Sequence, residues 1–465
     1  MDQSILWQCY QSLSKQEEKQ LGNWLVSPFF NRSENLIALY HYLKNCRQSK
    51  QVPEKQAAMQ LLQLPQETQL RLLMSALLDQ LEHFLSYQEL FALPENSQIA
   101  LATAYRKRGL SKPFQRSLQR ANTLLETQPF RHAPFLQAQA AIELERYHHQ
   151  SSLQRMEAFN LQQLLDRTEH AFLATQLRQA CFARSHQAVY KTHYELGALP
   201  LVLQQLTQKP DLLQIPAIGL YYYCFQFLSD PAQASYFQAF RTLLQQTAHQ
   251  LPTDILRELH LMAINYGIRK INQYETQYLK NTLNLYQSAL QTQLLIENGF
   301  LSPYSYNNIT AIALKVGELA WVEQFVQEYA PLLEKKHQNA NYQLNLARIA
   351  YYKKQYTNAL HHLQTADYKD LINNLIAKTL LIKIYYETDE WEVLEAHLQS
   401  MQVFLRRQKV IGYHLDNYQN IIRFSKKLIS PLRRSPEATE PLRLQIQTSS
   451  PLTERDWFLE MLENP

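Results

Sequence analysis

The stretch that decides the fold is Leu346-Ala347-Arg348-Ile349-Ala350-Tyr351-Tyr352, followed by Tyr356-Thr357-Asn358-Ala359-Leu360, Leu363 and Ala366. Leu344, Ala347 and Tyr351 recur at helical spacing, so one face of a helix is apolar. Ala359, Leu363 and Ala366 form a second such stripe, and the connection between the two is short. The pattern reads as two helices packed as a hairpin. Small residues let the helices approach, and large ones fill the groove between them. Outward from this unit the pattern repeats. Downstream it falls on Leu381, Ile382, Tyr385, Trp391, Leu394, Leu398 and Met401. Upstream it falls on Ile309, Thr310, Ala313, Leu319, Val322, Val326 and Tyr329. Val322, Ala359 and Leu394 are equivalent positions, with offsets of 37 and 35 residues. A further candidate is Leu101-Ala102 with Tyr105, Phe114, Leu118 and Ala121.

Composition supports an all-α class. The chain has 465 residues, 46% of them hydrophobic, with 54 Gln but only 8 Gly. Glycine is usually about 7% of a chain. Parallel α/β enzymes need glycine in their turns and phosphate loops, and β-sandwiches need turn residues every few positions. With 28 Tyr and 19 Phe the chain can bury a large core, which argues against disorder. Prolines punctuate the helical pattern at Ser27-Pro28, Leu93-Pro94, Gln128-Pro129, Leu199-Pro200, Asp230-Pro231, Leu251-Pro252 and Ser302-Pro303. Proline disfavours helix in the residue before it and suits the first turn of the next.

The tandem units resemble the tetratricopeptide repeat, whose period is about 34 residues. Leu346 and Ala347 match its large-small pair, and Ala359, Leu363 and Ala366 its small-large-small series. The resemblance implies a right-handed α-solenoid of irregular hairpins with helical caps at both ends. It is clearest over residues 303–405. The organisation expected is an N-terminal helical module over 1–90, a solenoid over 91–430, and a linker plus capping helix over 431–465. Residues 431–441 read as the flexible linker. The segment Trp24-Leu25-Val26-Ser27-Pro28-Phe29-Phe30-Asn31 and the tail around Leu442-Arg443-Leu444 and Arg455-Asp456-Trp457-Phe458 resemble uncharacterised helical-repeat proteins of Bacteroidetes-type bacteria. In tetratricopeptide-like units the first helix lines a concave groove. Carrying over that register places Asn307 and Asn308 in one unit, Asn341, Asn345 and Arg348 in the next, and Lys383 in the third. Asn amides can bond a peptide backbone through donor and acceptor, while Arg and Lys can hold a carboxylate. Leu344 and Thr379 depart from the family's carboxylate clamp, and the asparagines can equally be ordinary helix surface.

No residue set nominates a reaction or a cofactor. The two closest glycines, Gly299 and Gly317, are 18 residues apart, whereas a phosphate cradle or nucleophile elbow needs two or three within a few positions. Glu145 and His149 sit at i, i+4, but a third metal ligand is missing. His361-His362 and the pair His186 and His193 read as polar helix face. Cys9, Cys46, Cys181 and Cys224 have no metal or disulfide spacing and read as small core residues in a reducing cytoplasm. No apolar run reaches the roughly 20 residues of a bilayer span, and the start has no secretory pattern.

Charge is uneven. Residues 403–434 carry Arg406, Arg407, Lys409, Arg423, Lys426, Lys427, Arg433 and Arg434 against Asp416, a balance of +7. Residues 97–125 carry six basic residues and no acid, for +6. The whole chain is only +5, so the remainder is acidic. These features predict a cytoplasmic bacterial α-solenoid that binds a protein or peptide and catalyses nothing, with no cofactor, metal or membrane span. The alternative is a nucleic-acid-binding repeat protein using 97–125 and 403–434. There Arg406, Arg407, Lys409, Lys426 and Lys427 would contact phosphates, and Tyr413, Tyr418 and Phe424 would stack on bases.

Overall fold

Helix boundaries fall where the sequence removes a backbone donor or supplies a cap. Pro94, Pro200, Pro216 and Pro303 each sit in the first turn of a helix, where no intrahelical N–H partner is lost. Ser14 accepts from the Glu17 N–H while the Glu17 carboxylate accepts from the Ser14 N–H, closing a capping box. The computed structural model describes all residues except 154–157, 191, 231–233, 408–412, 431–435 and 464–465. Among the described residues the protein is all-α: 23 α-helices, three short 3-10 helices and one antiparallel ribbon of two-residue strands, β1 (Ile296–Glu297) with β2 (Phe300–Leu301). None of these helices is long and apolar enough to cross a membrane.

The chain forms two compact units, which cut across the sequence divisions at 90 and 430. The first comprises Met1–Gln128 and Ala138–Leu165, and the second Pro129–Gln137 and Asp166–Pro465. In the first unit, α1 (Ile5–Ser12), α2 (Lys15–Val26), α3 (Glu34–Gln48), α4 (Lys55–Leu61) and α5 (Glu67–Leu90) share one core, built on Trp7, Tyr10, Leu39, Leu43 and Leu81. Then α6 (Pro94–Lys107) pairs with α7 (Ser111–Thr127) through Ala102, Phe114, Leu118 and Ala121. Two long helices follow, α8 (Ala133–Leu153), mostly in the first unit, and α9 (Leu161–Val189), mostly in the second.

The second unit continues with α10 (Leu199–Gln208), then helix pairs. These are α11 (Pro216–Ser229) with α12 (Ala234–Thr247), α13 (Thr253–Asn272) with α14 (Tyr278–Gln291), α15 (Pro303–Val316) with α16 (Leu319–Tyr329), α17 (Lys335–Tyr352) with α18 (Tyr356–Thr365), and α19 (Leu371–Glu387) with α20 (Trp391–Arg407). Three of the four steps between successive first helices bring them into contact, α11 with α13, α15 with α17 and α17 with α19, while α15 meets α14 at the remaining step. The chain ends in α21 (Tyr413–Ile429), which packs on α19 and α20, then α22 (Pro436–Thr448) and α23 (Arg455–Glu463). The linker expected over 431–441 is corrected in part: residues from Pro436 onward are helical, with Pro441 inside the helix. The rest of that stretch, 431–435, lies outside the described residues.

The hairpin turns carry the repeat in the backbone. Gly317, Lys354 and Asp389 all have left-handed φ values, of 87°, 58° and 58°. Their spacing, 37 and then 35 residues, is that of the side-chain pattern. At each turn the next N–H reaches back five residues: Glu318 to Ala313, Gln355 to Ala350, and Glu390 to Tyr385. This is the bond that closes a helix around a left-handed residue. Between the turns, Ala313, Val322, Val326, Ala347, Ala359, Leu394, Leu398 and Met401 are fully buried. Two pattern positions differ. Ala366 lies just past the end of α18, and Trp391 is 44% exposed, edge-on to Tyr386. Gly267 permits the close approach of α13 to α14, since a Cβ there would lie 2.2 Å from Thr282 Oγ1.

Candidate functional site

Asn341, Asn345 and Arg348 lie at i, i+4 and i+7 on α17, one stripe of the helix. The structure turns that stripe against α15 and α19 rather than toward solvent. Asn307, Asn341 and Asn345 are 5%, 1% and 0% exposed. The expectation that they line an open groove is therefore corrected. Their amides are satisfied by one another. Asn307 Nδ2 donates to Asn341 Oδ1 at 2.7 Å and to Asn373 Oδ1 at 2.9 Å. Asn373 Nδ2 donates to Asn341 Oδ1 at 2.9 Å, and Asn345 Nδ2 to Asn307 Oδ1 at 2.7 Å. Buried amides without partners are costly, and this closed network removes that cost. Asn373 was not singled out from the sequence. The signal was present, because Asn307, Asn341 and Asn373 are spaced by 34 and 32 residues. Asn308 stands apart, exposed at the surface of α15.

Arg348 links this network to a second cluster. Its Nη1 donates to the Asn307 carbonyl and to Asn345 Oδ1, both at 3.0 Å. Burial lowers the guanidinium from its ordinary value, and the nearby charge of Glu454 opposes that shift. Glu454 belongs to the C-terminal segment. Lys383, on α19, donates to Glu454 Oε2 at 3.0 Å. Burial by itself would push the Glu454 carboxyl up. The charges of Lys383, Lys315 and Arg348 outweigh it and hold the carboxyl below the usual range. Two residues chosen from the sequence as carboxylate holders thus face a carboxylate of the same chain.

The residues ahead of Glu454 are non-helical and are bonded largely through their main chain. Asn420 Nδ2 donates to the Pro451 carbonyl at 2.8 Å, and the Thr453 N–H donates to Asn417 Oδ1 at 2.8 Å. The Tyr274 hydroxyl donates to the Leu452 carbonyl. Burial pushes that phenol up to about 12, so it is a neutral donor at pH 7. The Arg455 guanidinium lies 3.1 Å from the centre of the Tyr274 ring. Beyond Glu454, Trp457 Nε1 donates to Glu387 Oε1 at 2.8 Å. Glu387 also accepts from Tyr351, from Tyr356 at 2.6 Å and from Lys354 at 2.7 Å. Burial raises the Glu387 carboxyl, and these four donors together hold it below its ordinary value. Leu452, Trp457, Phe458, Met461 and Leu462 anchor the segment in a core shared with α19, α20, α21 and α22.

Asn417, Asn420, Tyr274, Lys315 and Glu387 were not foreseen. Tyr274 and Leu452 are 178 residues apart, so no local pattern could pair them. The asparagine chemistry expected for a peptide backbone is present, on α21 rather than on α15 and α17.

The basic segments look different in three dimensions. Arg406, Arg407, Lys426 and Lys427 are exposed on α20 and α21, and Lys409 lies outside the described residues. Tyr418 and Phe424, read as stacking groups, are 6% and 0% exposed in the core. The Tyr413 side chain is outside the described set. In the other basic segment, Arg106 is held by Glu145 through bonds of 2.7 and 3.2 Å. His149, the other half of the metal candidate, stacks on Phe114 with ring centres 4.1 Å apart. Among the described residues no three His, Cys, Asp or Glu side chains gather as a metal would need. Comparison with known proteins matches no family model, no curated protein and no solved structure.

Proposed function

We propose that the second unit is the peptide-binding part of a non-catalytic scaffold of the bacterial cytoplasm. In this reading its helix pairs form an irregular right-handed α-solenoid of tetratricopeptide-like hairpins, with α13, α15, α17, α19 and α21 facing the ligand. The contacts between successive first helices and the recurring left-handed turns support the repeat. One observation carries the binding role: residues 451–454 are held as a peptide would be. Side chains of α21 and Tyr274 address three main-chain groups, and Lys383 takes the carboxylate. Main-chain recognition supplies affinity, and side-chain sites supply selectivity.

The test is capture of partners from host lysate by the tagged full chain, with and without nuclease. Lys383→Ala and Asn420→Ala should remove partners that survive nuclease, while each variant melts within a few degrees of wild type. Partners retained at wild-type levels by both variants would remove this surface from consideration. The second reading, nucleic-acid binding through 97–125 and 403–434, is favoured by the exposure of Arg406, Arg407, Lys426 and Lys427. It requires capture that disappears with nuclease and falls steeply with salt.

A further inference from the structure

Part of the polar wall around the C-terminal segment is held without it. Glu387 receives three of its four donors from residues of α17 and α18 and the turn between them, and only the fourth from Trp457. Arg348 is fixed by Asn307 and Asn345. The Lys383 ammonium rests 4.7 Å from the Tyr351 ring centre as well as on Glu454. A pre-built acceptor and pre-built cations are what a binding site needs and a mere packing seam does not. Cations gather on the Glu454 carboxylate: Lys383 bonds it, and the charges of Lys315 and Arg348 also act on it, with Asp456 and Glu387 as the neighbouring acids. A small cavity at the seam is lined by Ile271, Tyr274, Leu279, Lys315, Thr453 and Asp456.

Resting on the peptide-binding reading above, we propose that residues 450–458 are a resident stand-in for an external ligand, and that the ligand is an acidic–aromatic peptide. Its carboxylate sits among Lys383, Lys315 and Arg348. A ring with an N–H donor, three residues later, reaches Glu387. The two or three residues ahead of the carboxylate keep the non-helical bend-and-turn path of 451–453, so that Asn417, Asn420 and Tyr274 read their main chain. The lead-in keeps an apolar side chain at the place of Leu452, which is fully buried in the core shared with α19, α20, α21 and α22, while its polar contacts are to the backbone.

The experiment uses the full chain and a fluorescent synthetic peptide of residues 449–463, read by anisotropy. Wild type should bind it weakly, because its own segment fills the site. The full-length double variant Glu454→Gln, Trp457→Phe should bind at least tenfold more tightly. Adding Lys383→Glu to that variant should abolish the gain, and a peptide carrying the same Gln and Phe replacements should bind at least tenfold more weakly than the matching one. If the double variant stays folded, with its far-ultraviolet spectrum intact, and binds neither peptide, or binds both equally, the proposal is overturned. Should that variant fail to fold, hydrogen exchange on wild type decides. Excess matching peptide should speed exchange of the 457–462 amides and leave α17 and α19 unchanged. Unchanged exchange in α23 would count against displacement. Partner capture that still depends on Lys383 and Asn420 while every peptide assay fails would sink the ligand class alone. Failure of both would sink the peptide-binding reading itself.

Discussion

Replacing Asn341 by alanine separates a structural amide network from a ligand groove. Asn341 is 1% exposed and sits at the centre of the network. Its Oδ1 accepts from Asn307 and Asn373, and its Nδ2 donates to the His337 carbonyl at 2.6 Å. Asn307 Nδ2 keeps a second acceptor in Asn373 Oδ1. Asn373 Nδ2 keeps none of the network's acceptors. A buried donor left without its partner costs about 1–3 kcal/mol, and the hydrogen bonds lost elsewhere add about 1 kcal/mol. Asn341→Ala should therefore destabilise the second unit by roughly 2–4 kcal/mol. Asn308→Ala, on an exposed position of α15, loses only a bond to the Tyr286 hydroxyl and should cost about 1 kcal/mol. Thermal melts followed by circular dichroism should show the difference. Hydrogen exchange should rise in α15, α17 and α19 for Asn341→Ala only. A groove made of free asparagines predicts the reverse order: unchanged melting with lost capture. If Asn341→Ala melts with wild type and its exchange is unchanged, the network is not a source of stability and the reasoning fails.

Acid should loosen the C-terminal segment. Glu454 and Glu387 both titrate below the ordinary 4.5, so the unfolded chain binds more protons between the two values and stability falls as pH drops through them. Protection of the α23 amides, relative to the free-peptide exchange rate at each pH, should be high at pH 7 and fall below about pH 4.5, and Glu454→Gln with Glu387→Gln should flatten that limb. Trp457→Phe keeps the ring beside Tyr386 but loses the donor to Glu387. A bond to a charged acceptor contributes about 1.5–3 kcal/mol, and a lowered melting point with the far-ultraviolet spectrum intact is expected. Arg406→Glu with Arg407→Glu should change stability by less than about 0.5 kcal/mol and leave peptide anisotropy unchanged; a large loss of peptide affinity would relocate the site.

The helix pairs of 303–405 were readable because their information is local. Ala347 and Ala359, or Thr310 and Val322, are brought together by one tight turn, and the periodic stripe states which face is buried. Prolines marked helix starts for the same reason, since the missing N–H acts on its own turn. The charge census failed differently. Counting Arg106 among six basic residues says nothing of Glu145, 39 positions away, which neutralises it. Tyr418 and Phe424 read as stacking groups because composition cannot tell which side of α21 meets α19 and α20.

The polar stripe of α17 was misread for a physical reason that bears on how the site is held. A stripe of Asn and Arg on one helix face suggests solvent when that helix is considered alone. The recurrence of asparagine at 307, 341 and 373 points instead to three helices meeting at one level, where each amide can satisfy another. Such a network fixes register, because sliding α19 one turn along α17 would part the paired amides and leave each buried and unsatisfied. The register in turn governs the far end of α19. Lys383 and Glu387 are at i and i+4 and so share a face. They meet Glu454 and Trp457, which are three residues apart and likewise match one helical turn. The two ends of α19 are therefore coupled through a rigid helix: the asparagines set its height, and that height decides whether a carboxylate and an indole spaced by one turn can be received together.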